Sequence, residues 1–278
     1  MRILKDRVAV VTGAASGIGR EVSVALAKAE CDLAVADVNE QGLSETAGLI
    51  EQLQRKVSIH VIDVSDRRAM EALPEEVMDA HHRVHLVVNN AGVTVADNVR
   101  EGLVEDFEWI MGINFWGVYY GCKFFLPLLL ETDEAHIVNL SSVFGLVGVP
   151  HQAYYCTTKF AVRGFTESLR QELAETRVRV TCVHPGGIDT NIARNARFRR
   201  PGAMGGETHE DMIQRFTELA KTTPARAAEK IVEGIKKNKA RVLIGRDAKM
   251  LDLIQRLFPV RYPSVLGAFV SREEARGK

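Results

Sequence analysis

The chain is poor in cysteine: four in 278 residues. Cys31, Cys122, Cys156 and Cys182 lie far apart with no metal-ligand spacing, which argues against a disulfide framework and a cysteine-built metal site. Each has apolar or small neighbours, so all four are expected to be buried, reduced thiols. Net charge is also missing. Lys plus Arg and Asp plus Glu are 36 each, so no overall field draws the molecule to nucleic acid, and a small, roughly neutral substrate is the expected partner. No uncharged apolar run approaches the roughly 20 residues of a spanning helix, and the short run from Phe124 to Leu130 contains Pro127. The first residues enter a strand-like run without an export signal. A cytoplasmic protein with no stable membrane association is expected.

What is present is an alternation. Val8 to Val11 reads as a strand, Thr12 to Gly19 as a glycine turn, and Arg20 to Lys28 as a helix. Gly13, Gly17 and Gly19 allow a tight turn, close approach of backbone to a pyrophosphate, and close packing of helix on strand. The spacing is Gly-x-x-x-Gly-x-Gly, not the commoner Gly-x-Gly-x-x-Gly. Further strands are expected at Leu33–Ala36, Val57–Ile62, Leu86–Val88, Ile137–Leu140, Val178–Val183 and Val242–Ile244. Helices are expected at Glu40–Gln54, Asp66–Ala80, Asp106–Glu131 and from Gln152 to about Thr176. Strand and helix in turn predict a parallel sheet covered on both faces, in the α/β class. The long helix from Asp106 to Glu131 carries much of the aromatic mass and, among it, one amide, Asn114. A core helix can hold such an amide fully hydrogen-bonded.

Asp37 ends the second strand, eighteen residues beyond Gly19, where a dinucleotide fold places the acid for the adenosine ribose. A carboxylate there repels a 2′-phosphate, so NAD is preferred and NADP disfavoured; Ser16, with no basic residue just ahead of Gly17, agrees. The alternative is a cap for the helix starting at Glu40. His81, His82 and His85 have no convergent Cys or carboxylate with them and read as a solvated helix end and turn, with no metal expected. Farther on, Tyr155 and Lys159 stand four residues apart, so on a helix they share a face. That spacing alone is more often an ordinary surface pair.

In combination these stretches resemble the short-chain dehydrogenase/reductase family. Thr12 to Gly19, Asp63-Val64, Asn89 to Gly92, Ser142 with Tyr155 and Lys159, and Pro185 to Thr190 match its motifs in order and spacing, over roughly residues 5 to 245. The resemblance implies a Rossmann-type, doubly wound parallel sheet of about seven strands. It implies Tyr155 as general acid/base, preferred over Tyr154 because Lys159 follows it by four, with its pKa lowered by Lys159 and by the nicotinamide charge. It implies Ser142 as the hydrogen-bond donor to the substrate oxygen, and Lys159 also on the nicotinamide ribose. Asn114 would hold a water in the proton relay. Gly13, Ser16, Gly17, Ile18, Gly19, Asp37, Asp63, Val64, Asn90, Ile188 and Thr190 would complete the cofactor site, and Asn89 would support the sheet.

The expected activity is hydride transfer between a nicotinamide cofactor and a secondary alcohol or ketone. Phe144, Leu146, Val147 and Val149 suggest an apolar one. The alternative is a catalytically silent dinucleotide-binding regulator or scaffold. Residues 1–245 are expected to form the catalytic domain, including a substrate loop at 191–223. That loop holds Arg194, Arg197, Arg199 and Arg200 with Gly202, Gly205 and Gly206, and reads as exposed and mobile in preference to an anion site. Residues 246–278 form a C-terminal amphipathic extension. It has three candidate roles: packing on the chain's own substrate mouth, a subunit contact, and a membrane-surface helix, the first two being favoured. A homodimer or homotetramer is expected.

Overall fold

Residues 8–12 make a strand, β1 (Val8–Thr12), whose side chains alternate between two cores. Ala9 and Val11 enter one, Val10 the other. The same alternation recurs in β2 (Asp32–Asp37) and β4 (Leu86–Asn89). Strands that are apolar on both sides must be covered on both sides. In this computed structural model, which describes residues 1–199 and 208–265, they are. On one face lie α1 (Gly17–Lys28), α2 (Glu40–Glu51) and α8 (Pro224–Lys236); on the other lie α3 (Arg67–His81), α5 (Gly117–Leu130) and α6 (Ala153–Glu172). Each fully buried Leu or Phe, such as Leu26 on the first face or Phe125 on the second, stabilises by about 1.5–3 kcal/mol relative to exposure.

With β3 (Val57–Val61), β6 (Ala135–Leu140), β7 (Val178–Pro185) and β9 (Arg241–Ile244), the seven strands take the order β3-β2-β1-β4-β6-β7-β9. Every pairing is parallel. This is the expected doubly wound Rossmann-type sheet. From β1 the chain winds outward through β2 to β3, then crosses back to β4 and winds the other way. The crevice between β1 and β4 is the switch point, where such sheets bind ligands at their carboxyl edge.

Two features were not expected: helix α8, and a small parallel sheet that joins β5 (Val95–Ala96) to β8 (Arg197–Phe198). Within the substrate segment at 191–223 lies α7 (His209–Leu219), opened by a Thr208/Asp211 capping box. The helix expected from Asp106 to Glu131 is broken in register. It consists of α4 (Val104–Met111), a π-helical segment over Gly112–Trp116, and α5. Such an inserted residue rotates the face presented after it and is frequent at functional sites. Here it turns Asn114 fully inward. Beyond it, α5 runs so close to the rest of the core that a Cβ at Gly117 would lie 2.7 Å from Val64, and one at Gly121 would lie 2.0 Å from Asn89 Oδ1.

The histidine cluster also differs from expectation. His82 alone is exposed; His81 and His85 are buried. The Ser58 hydroxyl sits 2.9 Å from His81 Nε2, and His85 Nδ1 accepts from Val8 N–H at 3.2 Å. Burial pushes the His85 pKa down to about 4, which fits a neutral ring accepting a backbone hydrogen. The helix end lies against the sheet edge, so period and proximity put these two rings inside. The four cysteines are free and buried, as expected. Among the described residues there is no metal-ligand cluster.

After β9, helix α9 (Arg246–Leu257) folds back over the segment that follows β6. Ala248, Leu251 and Tyr262 pack on Val143, Leu146 and Val147, and Gly148 N–H donates to the Tyr262 hydroxyl at 2.9 Å. The inner face of the extension thus packs on the chain itself, on the segment that follows Ser142. The same contacts correct an expectation. Leu146 and Val147 are 1% exposed and are committed to α9, leaving Phe144 and Val149, both partly buried, on this segment.

Candidate active site

The turn between β1 and α1 is built around glycine for steric reasons. Gly13 and Gly17 hold φ of +66° and +54°, and a Cβ at Gly19 would lie 2.0 Å from Gly13 O. These are positions a side chain cannot occupy without moving backbone. Ser16 is the N-cap residue of α1 but makes no side-chain cap bond, and no acid occupies the first turn. The first amides of the helix therefore face the crevice with a favourable dipole for an anion. Asn90 fixes the turn from behind: its Nδ2 donates to Thr12 O at 2.9 Å and Gly13 O at 3.1 Å. Thr190 closes it from the β7 side, its Cγ2 3.3 Å from the Cβ position of Gly17. The cradle fits the pyrophosphate of a dinucleotide.

Asp37 stands at the end of β2 beside this turn. Its Oδ2 accepts from Ala15 N–H at 3.1 Å and its Oδ1 from Asn39 N–H at 3.1 Å. The cap of α2 is Asn39, which accepts from Gly42 N–H, so the capping alternative for Asp37 does not hold. Ile18 packs against the core on the α1 side. Asp63, exposed past the end of β3, accepts from both Ser65 N–H and its hydroxyl, while Val64 is buried against α5. Ile188 is buried and bridges to Thr222. Asn89 supports the sheet as expected, its Nδ2 donating to Asn139 Oδ1 at 2.8 Å.

The second half of the site stands at the carboxyl ends of β6 and β4. Ser142 follows β6, and its Oγ accepts from Phe144 N–H at 3.1 Å, capping a short 3₁₀ turn. Ser141 is spent on structure, donating its hydroxyl to Lys159 O at 2.7 Å. The Ser142 hydroxyl lies close enough to the Tyr155 phenol to favour its ionised form. Tyr154 faces elsewhere, its ring tilted against Phe107 at 5.1 Å and its hydroxyl against Gly102. Of the two neighbouring pairs, Ser142 and Tyr155 are the ones whose side chains lie together.

Electrostatics here depart from expectation. Burial pushes the Tyr155 pKa up to about 12, offset in part by Ser142, and burial pulls Lys159 down to about 8. The Lys159 ammonium donates to Leu140 O at 3.0 Å and lies 5.6 Å from the Tyr155 ring centroid. In the chain by itself the ammonium therefore faces the sheet edge, and desolvation outweighs its pull on the phenol. Asn114 joins the parts: its Oδ1 accepts from Val93 N–H at 2.8 Å, and its Nδ2 donates to Val93 O and to Thr158 Oγ1. Its Oδ1 and the Lys159 Nζ both come within 3.3 Å of the Cβ position of Gly92, so any side chain at 92 would crowd them.

Three contributors were not read from the sequence. His184 on β7 is fully buried, its pKa lowered to about 4 by burial. Its ring is therefore neutral, and because the carbonyl of Ser142 can only accept, Nδ1 carries the hydrogen it donates there at 2.9 Å. Asp247, at the start of α9, accepts from Gly187 N–H at 2.7 Å and thereby steadies the loop that leads to Ile188 and Thr190. Asp106 is the third. Buried to 1% exposure, it accepts from Arg197 Nη1 at 2.8 Å and from Arg199 Nε and Nη2 at 2.6 and 2.8 Å. The guanidiniums, Arg199 foremost, hold its carboxyl below the usual range.

Arg197 also stacks on Trp109 at 3.5 Å. These two arginines are thus neither loose nor an anion site: they tie β8 to α4. Arg200, Gly202, Gly205 and Gly206 lie outside the described residues. Sequence spacing could not pair Asp106 with residues some ninety positions away; only the β5–β8 pairing brings them together. Asp106→Asn is expected to raise the substrate KM severalfold and to speed tryptic cleavage after Arg194, Arg197 or Arg199, with NADH affinity unchanged. The effect stays modest because both arginines are more than a third exposed and water screens the pair.

Comparisons with known proteins agree with this arrangement. The chain is 42% identical over 275 residues to SadH of Mycobacterium tuberculosis, an oxidoreductase by inference, covering 98% of both chains. It is 30% identical to estradiol 17-beta-dehydrogenase 11 of Pongo abelii, over 95% of this chain and 83% of that one. Its fold superposes on a short chain dehydrogenase/reductase of Burkholderia phymatum in complex with NAD with a TM-score of 0.85, at 29% identity, covering 92% of this chain and 95% of the other. A family model for short chain dehydrogenases matches residues 7–200, and the chain belongs to that family of oxidoreductases.

Proposed function

We propose that this protein is an NAD-preferring alcohol dehydrogenase or ketoreductase acting on a secondary alcohol or ketone with an apolar body. The observation that carries the reading is that the Ser142 hydroxyl and the Tyr155 phenol lie close together, near enough for Ser142 to favour the ionised phenol, at the sheet edge beside a glycine cradle. A substrate oxygen placed between these two groups would accept from both. Tyr155 takes the hydroxyl proton as the alcohol is oxidised and returns it in reduction. Ser142 stabilises the charge that develops on the oxygen. When bound, the nicotinamide supplies the chemistry of accepting or donating a hydride at the carbinol carbon. Lys159 turns from Leu140 O toward the ribose and the phenol, its buried ammonium favouring the phenolate. Asn114 keeps the loop after β4 and helix α6 in register and completes the proton path by way of water.

Gly13, Ser16, Gly17, Ile18 and Gly19 would hold the pyrophosphate, Asp37 the adenosine ribose, Asp63 and Val64 the adenine, Asn90 the cleft wall, and Ile188 with Thr190 the carboxamide. The apolar character of the substrate is supported by Phe144, set edge-on to Tyr155 at 6.1 Å, and by likeness to an estradiol dehydrogenase. Residues 1–245 would form the catalytic unit, with 246–278 an extension over its mouth. Exposed Trp116 and Phe160 support a homo-oligomer. Purified protein incubated with NAD and a panel of secondary alcohols, and with NADH and the matching ketones, is expected to turn over several of them. Tight NADH binding without turnover across the panel would instead favour a silent dinucleotide-binding protein.

A further inference from the structure

Helix α9 has two faces, and only one is accounted for by the fold. Inward, Ala248, Leu251 and then Tyr262 cover the segment after β6. Outward, Met250, Leu253 and Leu257 are 47%, 57% and 63% exposed, and the stripe continues past the helix through Phe258 and Val260 at 45% and 86%. Positions 250, 253 and 257 are spaced by three and four and therefore share a face.

The charges on this segment are sorted by sign. Both of its acids turn inward: Asp247 accepts from Gly187 N–H, and Asp252, 7% exposed, is held by Arg241 and Arg256 at 2.8 and 2.9 Å. The exposed charged residues between 246 and 265 are Arg246, Lys249, Arg256 and Arg261, all basic. The whole chain is balanced, so this excess is local. No helix among the described residues is long and apolar enough to cross a membrane, but an apolar stripe edged by basic side chains is the pattern of a helix lying in a lipid interface.

A second copy of the chain is the competing occupant. In a two-fold contact the same patch faces itself, which would set these basic side chains against their own copies and cost association. An anionic surface is complementary to both parts of the patch. We propose that the outer face of α9 is a peripheral docking surface for anionic lipid, apolar side chains in the acyl boundary and basic ones among the headgroups. Because the inner face of the same helix covers the mouth of the site, docking would set that mouth against the lipid.

The test is co-sedimentation of the full-length protein with phosphatidylcholine vesicles and with vesicles one-third phosphatidylserine. Partitioning onto the anionic vesicles is expected to exceed that onto neutral ones by at least tenfold, and to fall at least tenfold in Leu253→Asp/Leu257→Asp and severalfold in Lys249→Glu and in high salt. Both leucines are more than half exposed, so the double variant is expected to keep its fold and its NADH affinity, which are checked alongside. Equal partitioning onto both vesicle types, or a double variant that binds as wild type, overturns the proposal. So does a light-scattering mass that drops by a whole subunit in the double variant, which would place a second copy on this face.

Discussion

Replacing Tyr155 with phenylalanine is expected to lower turnover by about three orders of magnitude while leaving NADH affinity within about twofold. The change deletes one oxygen from a ring that keeps its packing against Phe144. Losing a positioned proton donor costs roughly 10²–10⁴ in rate, and without the phenol the proton of the alcohol has no partner except solvent. Tyr154→Phe is the internal control. Its hydroxyl lies against Gly102, away from Ser142, so near-wild-type turnover is expected. Steady-state rates and NADH fluorescence titration of the two variants decide the matter, and a Tyr155→Phe enzyme that retains a tenth of its rate would remove Tyr155 from the role. The pH dependence has a worked sign. Oxidation needs the phenolate and should rise with pH, whereas reduction needs the phenol and should fall. In the chain by itself burial holds this group up at about 12, so an oxidation limb centred well below that value would measure the pull of the relocated Lys159 ammonium and the bound cofactor.

The reasons the sequence disclosed these residues are local. A glycine turn between a strand and a helix, a carboxylate at the next strand end and a Tyr four before a Lys are all contacts made over short stretches, and each imposes its pattern on consecutive letters. The two-faced strands were legible for the same reason, since a sheet covered on both sides leaves no polar alternation. What escaped reading was long-range or conformational. The partners of Asp106 lie on and beside a strand of two residues, too short to leave a periodic signal. The π segment at Gly112–Trp116 has the composition of an ordinary helix, so nothing in the letters marks the change of register. His184 looks like any strand residue until β6 and β7 are paired and its ring meets the carbonyl of Ser142. Spacing reports only that Lys159 is near Tyr155, while burial and the Leu140 carbonyl determine where its ammonium points.

Cofactor choice gives the second large effect. Asp37→Ala is expected to reduce the preference for NAD over NADP, taken as the ratio of kcat/KM values, by about 100-fold. A carboxylate about 4 Å from a phosphate repels it by roughly 4 kcal/mol per unit charge at an effective dielectric near 20. Solvent at this partly exposed strand end reduces that, and the remaining two to three kcal/mol corresponds to about two orders of magnitude. The alanine acts on NAD as well. It removes the proposed acceptor for the ribose hydroxyls and also the one that holds Ala15 N–H in the glycine turn, so the KM for NAD should rise while that for NADP falls. Asp37→Asn separates the two causes. Its amide oxygen can still accept from Ala15 N–H, so the turn should stay in place while the charge is lost, along with the acceptor for Asn39 N–H. If the Asp37→Asn variant recovers most of the gain for NADP with a smaller loss for NAD, repulsion sets the preference. A selectivity that is unchanged in both variants, or a wild-type enzyme that already prefers NADP, would mean that Asp37 serves the turn alone.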